Sequence, residues 1–172
     1  MKKIFAFLLL ACIGLTALSG CGTSKIPFNG MLDTDTDKVY QLGDSKEKFD
    51  DAFGTSKFDE TSNEYSYLSG ILTVVFDENE CASEIESSGK SNRFEFCNFS
   101  FDKPIKEIEG RYEKFDEATG YIFYTIYYDE KGNTCSLYDS KYSAQLMVRD
   151  GDLDVIDLQD GEYVHYTIRI ED

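Results

Sequence analysis

From Tyr121 onward the chain reads as strand after strand, and that pattern limits the fold more than any other feature. The segments are Tyr121–Tyr128, Thr134–Asp139, Tyr142–Arg149, Leu153–Leu158 and Tyr163–Ile170, with Asp150-Gly151 and Asp160-Gly161 at two of the joints. Asp-Gly pairs favour tight hairpins because glycine accepts positive φ without a side-chain clash. The last segment alternates strictly, with Val164, Tyr166, Ile168 and Ile170 on one face and His165, Thr167 and Arg169 on the other. Tyr121–Tyr128 differs, being apolar on both faces: Tyr121, Phe123 and Tyr127 on one, Ile122, Tyr124, Ile126 and Tyr128 on the other. Such a strand is either covered on both sides, here by the C-terminal strands folding over as a second layer, or leaves an aromatic face open for a partner.

Upstream the period changes. Asp44 reads as a helix N-cap with Glu47 three positions on, Phe49, Ala52 and Phe53 share one face, and Gly54 stands where a left-handed residue ends a helix. Period two then returns in Glu64–Leu68, Ile71–Phe76 and Cys81–Ile85, separated by turns at Ser69-Gly70 and Asp77–Glu80. Arg93–Phe101 reads as a strand bulged near Cys97-Asn98. Asp102 would cap a second short helix with Pro104 in its first turn and Ile105, Ile108 and Tyr112 along one side. The expected fold is α+β: an antiparallel meander sheet with two short helices packed on one face.

The amino terminus carries an address. Lys2 and Lys3 precede a 15-residue apolar run, Ile4 to Leu18, which is shorter than the about 20 residues a bilayer-spanning helix needs. It ends in Leu18-Ser19-Gly20-Cys21, which resembles the lipobox of bacterial lipoproteins. That resemblance implies cleavage before Cys21, a diacylglyceryl group on its thiol, and a cell-membrane, extracytoplasmic location, with two acyl chains giving stable anchoring. Residues 1–20 are then a signal peptide, 21–38 the lipidated cysteine with a flexible tether, and 39–172 a single domain. The tether proper, Gly22 to about Asp37, mixes Gly, Ser, Thr, Asp and Pro27, and would hold the domain roughly 20 to 25 Å from the lipid.

Cleavage leaves 152 of the 172 residues, with 15 of the 17 basic residues and all 33 acidic ones, a formal charge of −18. Nucleic acid is excluded as a partner, since such a chain repels phosphates and has no basic stripe. Anionic headgroups are disfavoured on the same ground. Of five cysteines, Cys81, Cys97 and Cys135 remain in the mature domain on this reading, either with one bridge in any of three pairings and a free thiol or, the arrangement favoured, as three buried thiols. No C-x-x-C pair points to zinc or thiol exchange.

Chemistry is sparse. Asp33, Asp35 and Asp37 have the spacing with which calcium loops begin, but Lys38 occupies the place that needs glycine, which makes them a weak calcium candidate. His165 is the one histidine and falls on a polar strand face without a nucleophile-elbow motif. Acidic pairs are too numerous among 33 acids for any one of them to mark a glycosidase centre. The chain reads as a non-enzyme without a cofactor.

Two segments follow the same order, a capped short helix, a Tyr-rich strand, then an aromatic residue and Asp-Glu: Phe76-Asp77-Glu78 and Tyr128-Asp129-Glu130. The first of them, through Leu42-Gly43-Asp44-Ser45-Lys46-Glu47, Phe53-Gly54, Tyr65-Ser66-Tyr67 and Leu72-Thr73-Val74-Val75-Phe76-Asp77, resembles the helix-plus-hairpin unit of outer-membrane assembly lipoproteins of the SmpA/OmlA (BamE) type. The β-lactamase inhibitory protein has a similar architecture in tandem. The resemblance implies degenerate repeats at about 39–86 and 94–139, extra strands at 142–170, and a protein-binding role. Under that role Tyr65, Tyr67, Tyr124 and Tyr128 are the candidate contact residues for an unknown protein partner. The alternatives are a calcium- or small-ligand-binding lipoprotein and, behind it, a wall-glycan hydrolase.

Overall fold

A computed structural model describes residues 26–97, 99–100, 113–118, 121–149 and 162–171. Its strands are β1 (Gly30–Asp33), β2 (Lys38–Gln41), β3 (Lys57–Asp59), β4 (Glu64–Tyr67), β5 (Leu72–Phe76), β6 (Ala82–Ser88), β7 (Phe94–Phe96), β8 (Phe99–Ser100), β9 (Glu113–Ala118), β10 (Tyr121–Tyr128), β11 (Tyr142–Arg149) and β12 (Glu162–Ile170). One helix, α1 (Lys46–Phe53), lies between β2 and β3. The strands form two sheets, ordered β2-β1-β7-β8 and β3-β4-β5-β6-β12-β11-β10-β9, and every pairing within them is antiparallel. The architecture is α+β in the coarse sense, mostly antiparallel sheet with one helix among the described residues.

Strand register explains where the core lies. Tyr67 stands opposite Leu72, Leu72 opposite Ser87, Ser87 opposite Tyr166, Tyr166 opposite Leu146 and Leu146 opposite Tyr124, a row across six strands in which every residue is buried. Because side chains alternate, the next row, Ser66, Thr73, Glu86, Thr167, Gln145 and Thr125, faces the other way. The small sheet and α1 cover the first face. Phe99 stacks on Tyr166 at 4.6 Å between ring centroids, Phe96 lies 4.3 Å from the same ring, and Phe49 of α1 meets Phe76 at 5.6 Å and Tyr67 at 6.3 Å. Each such pair adds about 0.5 to 1.5 kcal/mol beyond the burial of its surface.

Several local expectations change. Ser45, not Asp44, caps α1, its hydroxyl accepting from the Lys48 amide. The Asp44 carboxylate instead accepts from the Gln41 amide at 2.8 Å and from Lys48 Nζ at 2.6 Å. Gly54 does end the helix, but with φ 81° and ψ −167° it is in an extended region open to glycine and not in the left-handed helical well. The expected bulge near Cys97 is a hairpin instead, because β7 and β8 pair with each other and Phe96 stands opposite Phe99. The segment 134–139 forms one bridge, Thr134 to Tyr128, and a 3-10 turn at Leu137–Asp139 in place of a strand. β11 and β12 do not fold over the sheet but lie inside it, between β10 and β6. The tether is shorter than expected, since β1 already begins at Gly30 and pairs with both β2 and β7. The second helix expected from Asp102 and the strand at Leu153–Leu158 lie outside the described residues, as do the signal peptide and Cys21.

Cys81 and Cys135 are free, whereas Cys97 is disulfide-bonded. The expectation of three thiols therefore fails at Cys97. The chain's other two cysteines, Cys12 and Cys21, lie outside the described residues.

Candidate binding surfaces

The four tyrosines selected from the sequence are not a solvent-facing set. Tyr67, Tyr124 and Tyr128 are 1%, 4% and 4% exposed and belong to the core, and only Tyr65 is half-buried. The physical reason is the side of the sheet they occupy. Tyr67 and Tyr124 share the buried row, and Tyr128 lies under the ring of Phe28, 5.4 Å away. The Tyr67 hydroxyl donates to Asp50 Oδ1 at 2.9 Å, and burial followed by that carboxylate pushes its pKa well up. Sequence reasoning had divided the faces of β10 correctly but could not say which one the small sheet would cover.

The other face of the eight-stranded sheet holds the remaining aromatic residues of β10. Tyr121, Phe123 and Tyr127 are half-buried there, and Phe123 pairs with Met147, which pairs with His165. Polar groups of β12 and β6 flank them on one side, and Thr125, Ser143 and Thr167 of this face are buried. Glu86 lies 3.0 Å from His165 Nδ1 and accepts from Thr167 Oγ1 at 3.3 Å, while Arg169 Nε approaches Glu84 at 3.5 Å. Burial raises the Glu84 pKa, with Arg169 opposing the shift. Among the described residues the aromatic contacts of α1 and the small sheet to the large one run to its buried face. Ser88 stands opposite His165, but its hydroxyl accepts from the Lys90 amide at 3.4 Å, an arrangement that joins no nucleophile to the imidazole.

The calcium candidate is accounted for otherwise. Asp33-Thr34-Asp35-Thr36-Asp37 is the turn of the β1–β2 hairpin, and Asp33 is fully buried. Arg93 Nε and Nη2 donate to its two oxygens at 2.8 and 2.9 Å, Thr36 Oγ1 donates at 2.9 Å, and the Asp35 amide donates at 3.2 Å. Burial pushes the Asp33 pKa up, and the Arg93 fork and the other donors more than reverse that, leaving it lowered. A carboxylate so committed has no lone pair to give a cation. Asp35 Oδ2 also lies 3.3 Å from Arg93 Nε, and Asp37 is exposed. No cluster of three or more metal-ligating side chains occurs among the described residues.

A groove of about 490 Å³ runs between β2 and the first turns of α1, lined by Lys38, Tyr40, Glu47, Lys48 and Asp51 among others. Its central cation is already engaged, because Lys48 Nζ reaches Asp44 and the Val39 carbonyl and lies 5.3 Å over the Tyr40 ring. Lys48 is therefore committed within the fold and does not stand free in the groove. Among the described residues no helix is long and apolar enough to cross a membrane. The chain matches no protein-family model, no curated protein and no solved structure.

Proposed function

We propose that this chain is a non-enzymatic, lipid-anchored module of the cell envelope that binds a protein partner through the outer face of its eight-stranded sheet. The observation that carries the reading is the cluster of Phe123, Met147, Tyr121 and Tyr127 on that face, flanked on the β12 and β6 side by His165, Glu86, Arg169 and Glu84. Aromatic and thioether side chains within a polar rim are the composition of protein interfaces. The binding face thus moves from Tyr124 and Tyr128 to the opposite side of the same strand. The likeness to tandem helix-plus-hairpin proteins is supported by sheet order: β3 to β6 and β9 to β12 are each consecutive four-strand runs, meeting where β6 pairs with β12. On this reading the second repeat continues through β12.

The test is photocrosslinking from position 123 in cells, with position 58 as control. A discrete adduct from 123 that a Met147→Asp substitution abolishes, with unchanged thermal melting, supports the sheet face. Adducts from both positions or neither refute it.

The address is tested separately. On this reading the mature protein should carry the mass of a diacylglyceryl group. The competing reading is a chain without the lipid, favoured by the disulfide at Cys97. It predicts no added mass.

A further inference from the structure

The loop between β10 and β11 ends in an apolar tip. Among the described residues Leu137 is 48% exposed and Tyr138 95%, side by side in sequence. Slack chain does not explain this exposure. Ser136 Oγ donates to Asp139 Oδ2 at 2.8 Å, Ser140 Oγ donates to the Leu137 carbonyl at 2.7 Å, and the Asp139 amide donates to the Ser136 carbonyl at 3.1 Å. The base is clamped to β10 by the Cys135 amide on the Tyr127 carbonyl at 3.0 Å and the Lys141 amide on the Tyr128 carbonyl at 2.8 Å. A turn fastened at so many points holds the two apolar side chains outward.

The amino-terminal run reaches the same end of β10. The Phe28 ring packs against Tyr128 at 5.4 Å and Tyr142 at 5.2 Å, and passes so close to Gly132 that a Cβ there would come within 2.4 Å of it. Between Cys21 and Ile26 lie only five peptide units, about 18 Å when fully extended. A lipid on Cys21 therefore brings the membrane surface to this end of the sheet, in place of the long stand-off that a 16-residue tether would permit.

We propose that Leu137 and Tyr138 form a second membrane contact, seated in the headgroup region of a zwitterionic phospholipid surface. The contact rests on the lipidation of Cys21. A phenol suits that depth, since its ring leaves water while its hydroxyl keeps polar partners, and an adjacent leucine adds apolar area. The lipid class follows from charge. The loop carries Asp129, Glu130 and Asp139 against Lys131 and Lys141, and the mature chain is strongly acidic, so anionic headgroups would repel it. One lipid anchor lets a domain swivel, and a second contact fixes its orientation, which holds the outer sheet face sideways to the membrane and open to a partner.

The chain contains no tryptophan, so Tyr138→Trp introduces a single indole reporter at an exposed site, with Phe58→Trp as the control. The lipidated full-length variants are placed in phosphatidylcholine vesicles with and without brominated acyl chains. Emission from the indole at position 138 should shift to the blue and lose intensity in the brominated vesicles, while the indole at position 58 does neither. Flotation and intact mass on the same samples report the anchor. Acylated, floating protein whose indole at position 138 stays unquenched overturns the loop contact and leaves the lipoprotein reading standing. Unacylated protein overturns the lipoprotein reading, and the loop contact with it.

Discussion

Asp77 and Asp129 build the same turn. Each donates its amide to the carbonyl four residues on and takes the amide three residues on with its own carbonyl. Oδ1 of each then accepts the amides two and four residues ahead, Asn79 and Cys81 in one turn, Lys131 and Asn133 in the other, at 2.8 and 2.9 Å in both. The fourth residue has positive φ in both, Glu80 at 57° and Gly132 at 80°. These are the aromatic-Asp-Glu markers that stood out in the sequence.

Replacing Asp77 or Asp129 by Ala should therefore lower the melting temperature, whereas Asn, which keeps the accepting oxygen, should come close to wild type. Those donors also hold both carboxyls below the usual range, for Asp77 mainly the Cys81 amide and for Asp129 mainly the Asn133 side chain. Thermal melts of the four variants check this. Equal melting of the Ala and Asn forms would show that the turn does not depend on the side-chain oxygen.

Tyr124→Ala and Tyr128→Ala should each cost about 3 to 5 kcal/mol of folding free energy, as truncation of buried aromatics does. Denaturant unfolding curves measure it. Losses below about 1 kcal/mol would put the rings outside the core.

The Asp33–Arg93 fork should govern part of the acid limb of stability. The Asp33 pKa is lowered on folding. Its contribution is therefore complete above the unfolded carboxyl value of about 3.9 and is lost as pH falls through the lower folded value. Asp33→Asn should cost about 2 kcal/mol at pH 7, between the ranges for exposed and buried pairs because Arg93 is partly solvated. It should also flatten the fall in melting temperature below pH 4, read by melts from pH 7 to pH 2.

Gly54→Ala should cost about 1 to 3 kcal/mol, because its backbone lies in a region that essentially glycine alone adopts, although nothing lies within 4 Å of the added methyl. Gly132→Ala adds to positive φ a collision with the Phe28 ring. A Phe28→Ala background should relieve part of the Gly132→Ala loss and none of the Gly54→Ala loss, which a double-mutant cycle would measure.

Local rules alone determined much of this protein: the start of α1 within one residue, its stop at Gly54, the β4–β5–β6 meander, β10 and β11, and the inward face of β12. All of these depend on side-chain alternation, capping or turn chemistry within a few residues. The extent of the tether was misread because Gly30–Asp33 is too short to show a period, and it becomes a strand only by pairing with β2 and β7, the latter some 60 positions away. Asp33 looked like a metal ligand for the same reason, since the guanidinium that occupies it is Arg93, on the far side of α1 and five strands. Which face of β10 is buried was a choice that only tertiary packing makes. Period two divides β10 into two apolar faces, and the buried one is whichever meets the rest of the core, a contact made at Tyr128 by Phe28 from the opposite end of the chain.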